Sequence, residues 1–554
     1  MKLETGNLSE RRWPLAPKLR GSERDPIWNQ GKTGILDNRN SGTGTRNSKF
    51  RTWGTLVVLL VLLFVSPLLL PELVFATDKT TLNEIIQGFE EEEQKHDDEL
   101  KDLMEGFKDE IPEGEKKDAE EKNDFLEGFD EGTSEKAVEK EEAEEKPSTW
   151  SLDGELELAT TYNFAHEAPP PGKTDWRGLS MLRPELELTL KKKFSESWQG
   201  QISAWGYYDL VYSLRGRDNY TSEVLDSYEK ELELRDTFIQ GSLTEKFDTK
   251  IGRQVVVWGT LDNLRVADVL NPLDLRVPGL TDIDDLRLPV TMAKLDYYFG
   301  DWNLAGMVIP EIRFSKLPVF GSDFYPSPDP LPPEDMPEDG FGNPEYAAAL
   351  TGIFSGWDIA FYWANIYDDQ SYSQVTSPGP PPQLILKHTR INMLGAAFNI
   401  AAGNWLLKAE SAWLDGIKYT NTPGVKYSRI DLGAGIEYSG FQDATLSLEA
   451  ANRHINGFSQ ELKLPPNELR ENEFQWVARI MKSYLNDTLT LTLLVSTFGI
   501  KADDGAFQRL DAEYDVTDAI SIRGGVVFYQ SGDKGKFKNV GDNDRLFLEF
   551  RYSF

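Results

Sequence analysis

The run Arg545-Leu546-Phe547-Leu548-Glu549-Phe550-Arg551-Tyr552-Ser553-Phe554 alternates almost without error. Leu546, Leu548, Phe550, Tyr552 and Phe554 share one parity; Arg545, Phe547, Glu549, Arg551 and Ser553 share the other. Successive side chains of a strand point to opposite faces, so this segment predicts a strand with one apolar face and one charged face. A sheet in water can alternate in the same way, but it seldom finishes on an aromatic residue. Apolar side chains outward and charges inward suit a strand with lipid on one side and water on the other.

The composition narrows the alternatives. At 554 residues the chain exceeds an ordinary single domain, so a tail, a second domain or a large barrel is expected. It has no cysteine, which excludes disulfides and thiolate metal sites. Four histidines (His96, His166, His388, His454) are scattered, and no H-E-x-x-H, G-x-S-x-G or phosphate-loop motif occurs. No enzyme, cofactor or metal site is therefore expected. A net charge of −33 argues against a nucleic-acid partner. The low mean hydropathy fits strands with every second residue apolar; helices packed in lipid would read far greasier.

Charge divides the chain into zones. Residues 1–52 carry about +6, residues 77–147 about −18, and the rest about −21. Three segments follow: an N-terminal extension with a signal peptide (1–76), an acidic tail (77–147) and a barrel (148–554). Trp53 to Leu70 is the one long uncharged apolar run; Lys49 and Arg51 precede it, and Val74-Phe75-Ala76 offers a cleavage site. A retained helix is the competing reading, and Pro67 and Pro71 weigh against it. No fold is read in residues 1–48.

The acidic tail is too poor in apolar residues to offset the entropy of ordering, so disorder is expected. Within it one pattern recurs: Ile85-Ile86-Gln87-Gly88-Phe89-Glu90, Leu103-Met104-Glu105-Gly106-Phe107-Lys108 and Phe125-Leu126-Glu127-Gly128-Phe129-Asp130. It reads either as low complexity or as three short motifs. In the second reading Phe89, Phe107 and Phe129 dock into a periplasmic protein, with avidity from repetition.

From Thr149 onward strand-like stretches recur. Short turns at 195–198, 244–247, 300–302, 355–357, 401–405, 440–444, 485–488 and 516–518 alternate with long connections at 165–178, 214–228, 259–289, 314–344, 368–383, 416–424, 455–471, 500–505 and 531–543. Eight turns and nine loops predict 18 strands (16–20 if one hairpin is miscounted) in a transmembrane antiparallel β-barrel. Tight turns then lie on the periplasmic side of an outer membrane and long loops outside. Trp198, Trp302, Trp357 and Trp405 follow short turns, where an interfacial girdle belongs. The closing strand resembles the assembly signal of outer-membrane barrels. That resemblance implies that Phe550, Tyr552 and Phe554 are read by the barrel-assembly machinery.

Residues 229–290 are denser in motifs. Gly252-Arg253-Gln254-Val255-Val256-Val257-Trp258-Gly259 is followed by Asp268-Val269-Leu270-Asn271-Pro272-Leu273-Asp274. This G-R-Q-x-x-x-W-G … D-V-x-N-P-x-D pattern resembles a family of proteobacterial outer-membrane proteins known as a domain of unknown function. The resemblance implies a porin-like barrel and a link to the export of lipids or hydrophobic compounds; the acidic tail is not part of the family pattern. Physically, the 259–289 connection pairs opposite signs, and a loop of that kind folded into a wide barrel narrows it. Arg253, Gln254, Arg265, Asp268, Asp274, Arg276, Asp284, Asp285 and Arg287 are the candidate constriction residues, with Asn271-Pro272 as a rigid turn. The alternative is a solvated external loop. Asp282, Asp284 and Asp285 lack the ordered spacing of a calcium loop. The leading functional expectation is a channel for a small or lipidic solute. The alternative is a membrane anchor that tethers a periplasmic complex.

Overall fold

The computed structural model describes residues 149–281, 286–377, 379, 382–533 and 537–554. The signal segment, the acidic tail with Phe89, Phe107 and Phe129, and Asp282, Asp284 and Asp285 lie outside these residues. Among the described residues no helix is long and apolar enough to cross a membrane. Strands form the wall instead.

Eighteen strands build it: β1 Trp150–Asn163, β2 Gly178–Lys193, β3 Trp198–Tyr208, β4 Lys230–Thr244, β5 Phe247–Gln254, β6 Val290–Phe299, β7 Trp302–Ile309, β8 Glu345–Phe354 and β9 Trp357–Tyr367. They continue as β10 Arg390–Ala402, β11 Trp405–Ile417, β12 Tyr427–Phe441, β13 Ala444–Asn456, β14 Asn472–Tyr484, β15 Leu489–Phe498, β16 Gly505–Thr517, β17 Ile520–Gln530 and β18 Arg545–Ser553. Each pairs antiparallel with the next, and β18 returns to β1 in the register Glu155↔Ser553 to Asn163↔Arg545. The sheet is a closed 18-stranded barrel, as the alternation of turns and loops predicts.

Closure extends one residue beyond β18. The Gly154 N–H donates to the Phe554 carbonyl at 2.8 Å, and the Phe554 N–H to the Gly154 carbonyl at 2.9 Å. The Phe554 ring fills the place a Cβ on Gly154 would take. Leu546, Leu548, Phe550 and Tyr552 point outward and are 40–51 % exposed, whereas Arg545 and Phe547 are buried inside. Trp198, Trp302, Trp357 and Trp405 each open a strand after a short turn. Three of them stack with neighbours at that end, as in Phe354–Trp357 at 4.2 Å and Trp405–Tyr438 at 4.4 Å. An outer surface of exposed leucines and aromatics with such a girdle suits lipid.

Two boundaries differ from the sequence reading. The connection read as starting at Gly259 leaves the wall after Gln254. Val255-Val256-Val257 has high strand propensity, but the Asp236 and Asn271 side chains accept the Val255 and Val256 N–H groups and turn the backbone inward. The connection read over 368–383 runs to Thr389. It contains a hairpin, Tyr372–Ser377 with Gln383–Lys387, to which Glu334–Asp335 adds as a short parallel strand.

Asp368 stands at the foot of this hairpin, its N–H donating to the Thr389 carbonyl at 2.8 Å. Burial pushes its carboxyl up to about 6, against the opposing pull of Arg429, with Asp369 and His388 as further charged or titratable neighbours. Ionisation is thus disfavoured in the fold. The stabilising contribution is full below the unfolded value near 3.9 and is lost as pH rises through about 6. Thermal unfolding in detergent is expected to lose on the order of 2 kcal/mol between about pH 4 and 6.5 through this group, and Asp368→Asn should flatten that slope. An unchanged slope in the variant would assign the titration elsewhere.

Candidate functional site

Residues 255–289 lie inside the barrel. Glu410, inward on β11, accepts the N–H groups of Thr260, Leu261 (2.6 Å) and Ala267 (3.1 Å). Glu449 on β13 accepts those of Asp262 and Asn263 at 2.7 and 2.8 Å. Lys408 pairs with the Asp262 carboxylate, and Arg453 donates to the Arg265 carbonyl at 3.0 Å. A loop buried in a lumen must satisfy its backbone, and here wall carboxylates accept five of its N–H groups.

Apolar contacts fix the same placement. Trp258 stacks on Tyr362 of β9 at 4.8 Å. A Cβ on Gly433 of β12 would stand 2.5 Å from Leu261 Cδ1, and one on Gly435 would stand 2.9 Å from its Cδ2. Further along, the Arg509 and Tyr529 side chains of β16 and β17 donate to the Gly279 and Pro278 carbonyls. The segment packs against the inner faces of β9 to β13, β16 and β17. Leu264, Val266, Ala267 and Leu270 are almost fully buried there.

The motif residues form its anchor. Gln254 is 1 % exposed, and its amide donates to the Lys250, Gly252 and Met292 carbonyls. Asn271 accepts the Val256 N–H at 2.8 Å and donates to the Leu288 carbonyl at 2.9 Å, so it staples the entry of the segment to its exit. Between them a small inner sheet forms. The Asp274 N–H reaches the Leu286 carbonyl at 2.7 Å, the Leu275 N–H the Lys316 carbonyl at 2.7 Å, and the Leu288 N–H the Pro272 carbonyl at 2.8 Å.

The charged candidates fall into two groups. Arg265 and Arg287 converge on Asp268, at 3.3 and 3.1 Å. Arg276 pairs with Asp274 and, at 2.6 Å, with Glu231 of β4. Burial works against ionisation of Asp274, but Arg276 and Lys316 outweigh it and hold the carboxyl below its ordinary range. Arg253 meets Glu233 at 3.4 Å and Glu311 at 3.1 Å.

What the segment leaves empty is a cavity of roughly 1300 Å³ between residues 274–289 and the inner faces of β1 to β4, β17 and β18. Asp274, Arg276 and Arg287 line it; Arg253, Gln254, Arg265 and Asp268 do not. Seven carboxylates and seven cations line the cavity, so its formal charge balances. They are arranged as rungs: Arg551–Glu157 at 3.0 Å, Arg523–Glu549 at 3.3 Å, Arg235–Glu187 at 3.5 Å and Arg183–Glu185 at 3.6 Å. Arg265 and Asp268 instead line a second cavity, of roughly 1130 Å³, on the side of β8 to β13.

Sequence reasoning missed the wall residues that hold the segment, Glu410, Glu449 and Lys408, and the rungs of the cavity. Their only signal is an inward charge on an alternating strand, which every lumen-facing position shares. These features define a class: a transmembrane β-barrel with a built-in inner segment and a charge-lined residual lumen. The family described as "Protein of unknown function (DUF1302)" matches residues 179–554, and the chain belongs to it. No curated protein matches the chain. Among solved structures it is similar to OccAB2 of Acinetobacter baumannii (11 % identity, TM-score 0.45) and OccK9 (OpdG) of Pseudomonas aeruginosa (13 %, 0.45). It is also similar to a BenF-like porin from Pseudomonas fluorescens Pf-5 (12 %, 0.44). Each of the three alignments covers 73 % of this chain and 98 % of the other.

Proposed function

We propose that the protein is a porin-like channel of a Gram-negative outer membrane that passes a small or lipidic solute. The short turns face the periplasm, and residues 259–289 act as the constriction. The observation that carries this reading is the charge-lined cavity left beside a segment that fills the rest of a closed barrel. Paired charges along a lumen give a polar path for ions and polar groups without trapping either sign. Phe550, Tyr552 and Phe554 serve as the signal for the barrel-assembly machinery. The tail, through Phe89, Phe107 and Phe129, binds a periplasmic protein.

The purified protein in a planar bilayer is expected to show discrete conductance steps. In a salt gradient the reversal potential should lie near zero, because the lining charges balance. A silent membrane would favour the anchor reading, and a strongly shifted potential would place the ion path elsewhere.

A further inference from the structure

We infer that the barrel wall has a lateral opening beside β4, through which an amphiphile with an aliphatic chain and a charged head passes between the cavity and the bilayer. The inference deepens the channel reading and rests on it for the direction of use, but the opening itself is a property of the wall.

The cavity is closed along the barrel axis at its long-loop end. Val211, Tyr212, Val224 and Tyr228 form a buried apolar cluster there, with Val319 packed against it. Val277 packs under this cluster and also lines the cavity. The strip around residues 319–325 is tied down on both sides. Thr221 donates to the Phe320 carbonyl at 3.0 Å, and Asp323 pairs with Arg545 of β18 at 2.8 Å. A solute in the cavity needs another way out at this end.

The wall supplies one. Pairing of β4 with β5 starts at Thr237↔Arg253, so among the described residues Lys230–Asp236 have no neighbouring strand on that side. That is roughly 24 Å of open edge. β5 and β7 have eight residues each, short of the roughly 9–11 a tilted strand needs to span hydrocarbon. The local geometry explains why pairing stops here. Ile202↔Thr237 gives way to Ala204↔Leu234, a bulge that sets Arg235 and Asp236 against the single Ser203. Bulges twist a strand and end its pairing. On β5, Gly252 has φ 132°, and its missing Cβ admits the Thr237 carbonyl.

The chemistry on either side of the edge selects the ligand. Outward stand Leu232, 85 % exposed, and Leu234, with Val257 exposed just past β5. Inward, Glu231 and Glu233 meet Arg276, Arg313 and Lys316, and Glu233, Arg276 and Lys316 line the cavity. A chain can lie between the leucines and lipid while its head reaches this cluster. An ion or sugar has no use for the apolar rim, and a hydrocarbon none for the charges.

The absence of cysteine allows a clean test. A bimane label is placed at Lys316→Cys and, separately, at Glu233→Cys in the full-length protein, in vesicles of phosphatidylcholine with brominated acyl chains. Leu432→Cys, facing lipid, is the positive control. Glu549→Cys, on the cavity wall of β18 four strands and about 19 Å from β4, is the interior control. At least twofold quenching at 316 and 233, comparable to 432 and absent at 549, is expected. Labels at 316 and 233 as bright as at 549 would overturn the opening, and two sites guard against one variant failing to fold. Quenching without conductance would leave the opening standing and remove the channel reading; conductance without quenching would do the reverse.

Discussion

Removing residues 260–281, with a short Gly-Ser splice, is expected to raise single-channel conductance at least about threefold, because barrels of 16–18 strands are wide enough to leave an aqueous channel when nothing fills them. The segment packs along β9 to β13 and again on β16 and β17, and the open path is confined to the β1–β4 side. Deletion frees Glu410, Glu449 and Lys408 into water, where they rehydrate, so the wall should survive. Planar-bilayer recording reads the effect directly. Unchanged conductance would mean that the segment does not narrow the path.

Glu410→Ala carries the second large effect. It strips the acceptor from the N–H groups of Thr260, Leu261 and Ala267 at once, next to a packed apolar cluster where water is scarce. Each orphaned donor costs about 1–3 kcal/mol, more than the local packing of so short a stretch is likely to offset in full. The segment should loosen: hydrogen exchange at residues 260–267 is expected to speed up at least about a hundredfold, which corresponds to about 2.7 kcal/mol of local opening energy. Open-channel noise should rise with it. Glu410→Gln, which keeps one acceptor oxygen, should restore part of the protection. Exchange as slow as in the parent would show that apolar packing alone holds the segment.

The strand count was legible because its two signals, period-two alternation and the alternation of short and long connections, are local. The closing strand shows this most plainly, with Leu546 to Phe554 outward in strict parity. Local signals fail where a distant side chain decides. Val255-Val256-Val257 belongs to a strand by propensity, yet Asn271, sixteen residues from Val255, turns it inward. On β4 the bulge at Arg235–Asp236 shifts the parity, so that Leu232 and Leu234 face out above it and Ile239 and Leu243 below. Paired signs in 259–289 marked the segment as unusual, and its arginines do meet carboxylates. Which candidates line the cavity was not legible. Gln254, a polar residue on a strand near a charged loop, is spent on backbone carbonyls rather than on the lumen.

The most direct test of where solute passes uses single cysteines in this cysteine-free chain. Arg183→Cys places a thiol on β2 in the charge-lined cavity, and Gln475→Cys places one on the inner face of β14, away from it. A bulky charged methanethiosulfonate reagent is added while single-channel current is recorded. The current through Arg183→Cys should fall by at least about half, since the passage there is confined and charge-lined, and that through Gln475→Cys should be unaffected. Block at 475 with none at 183 would contradict the proposed path along β1 to β4.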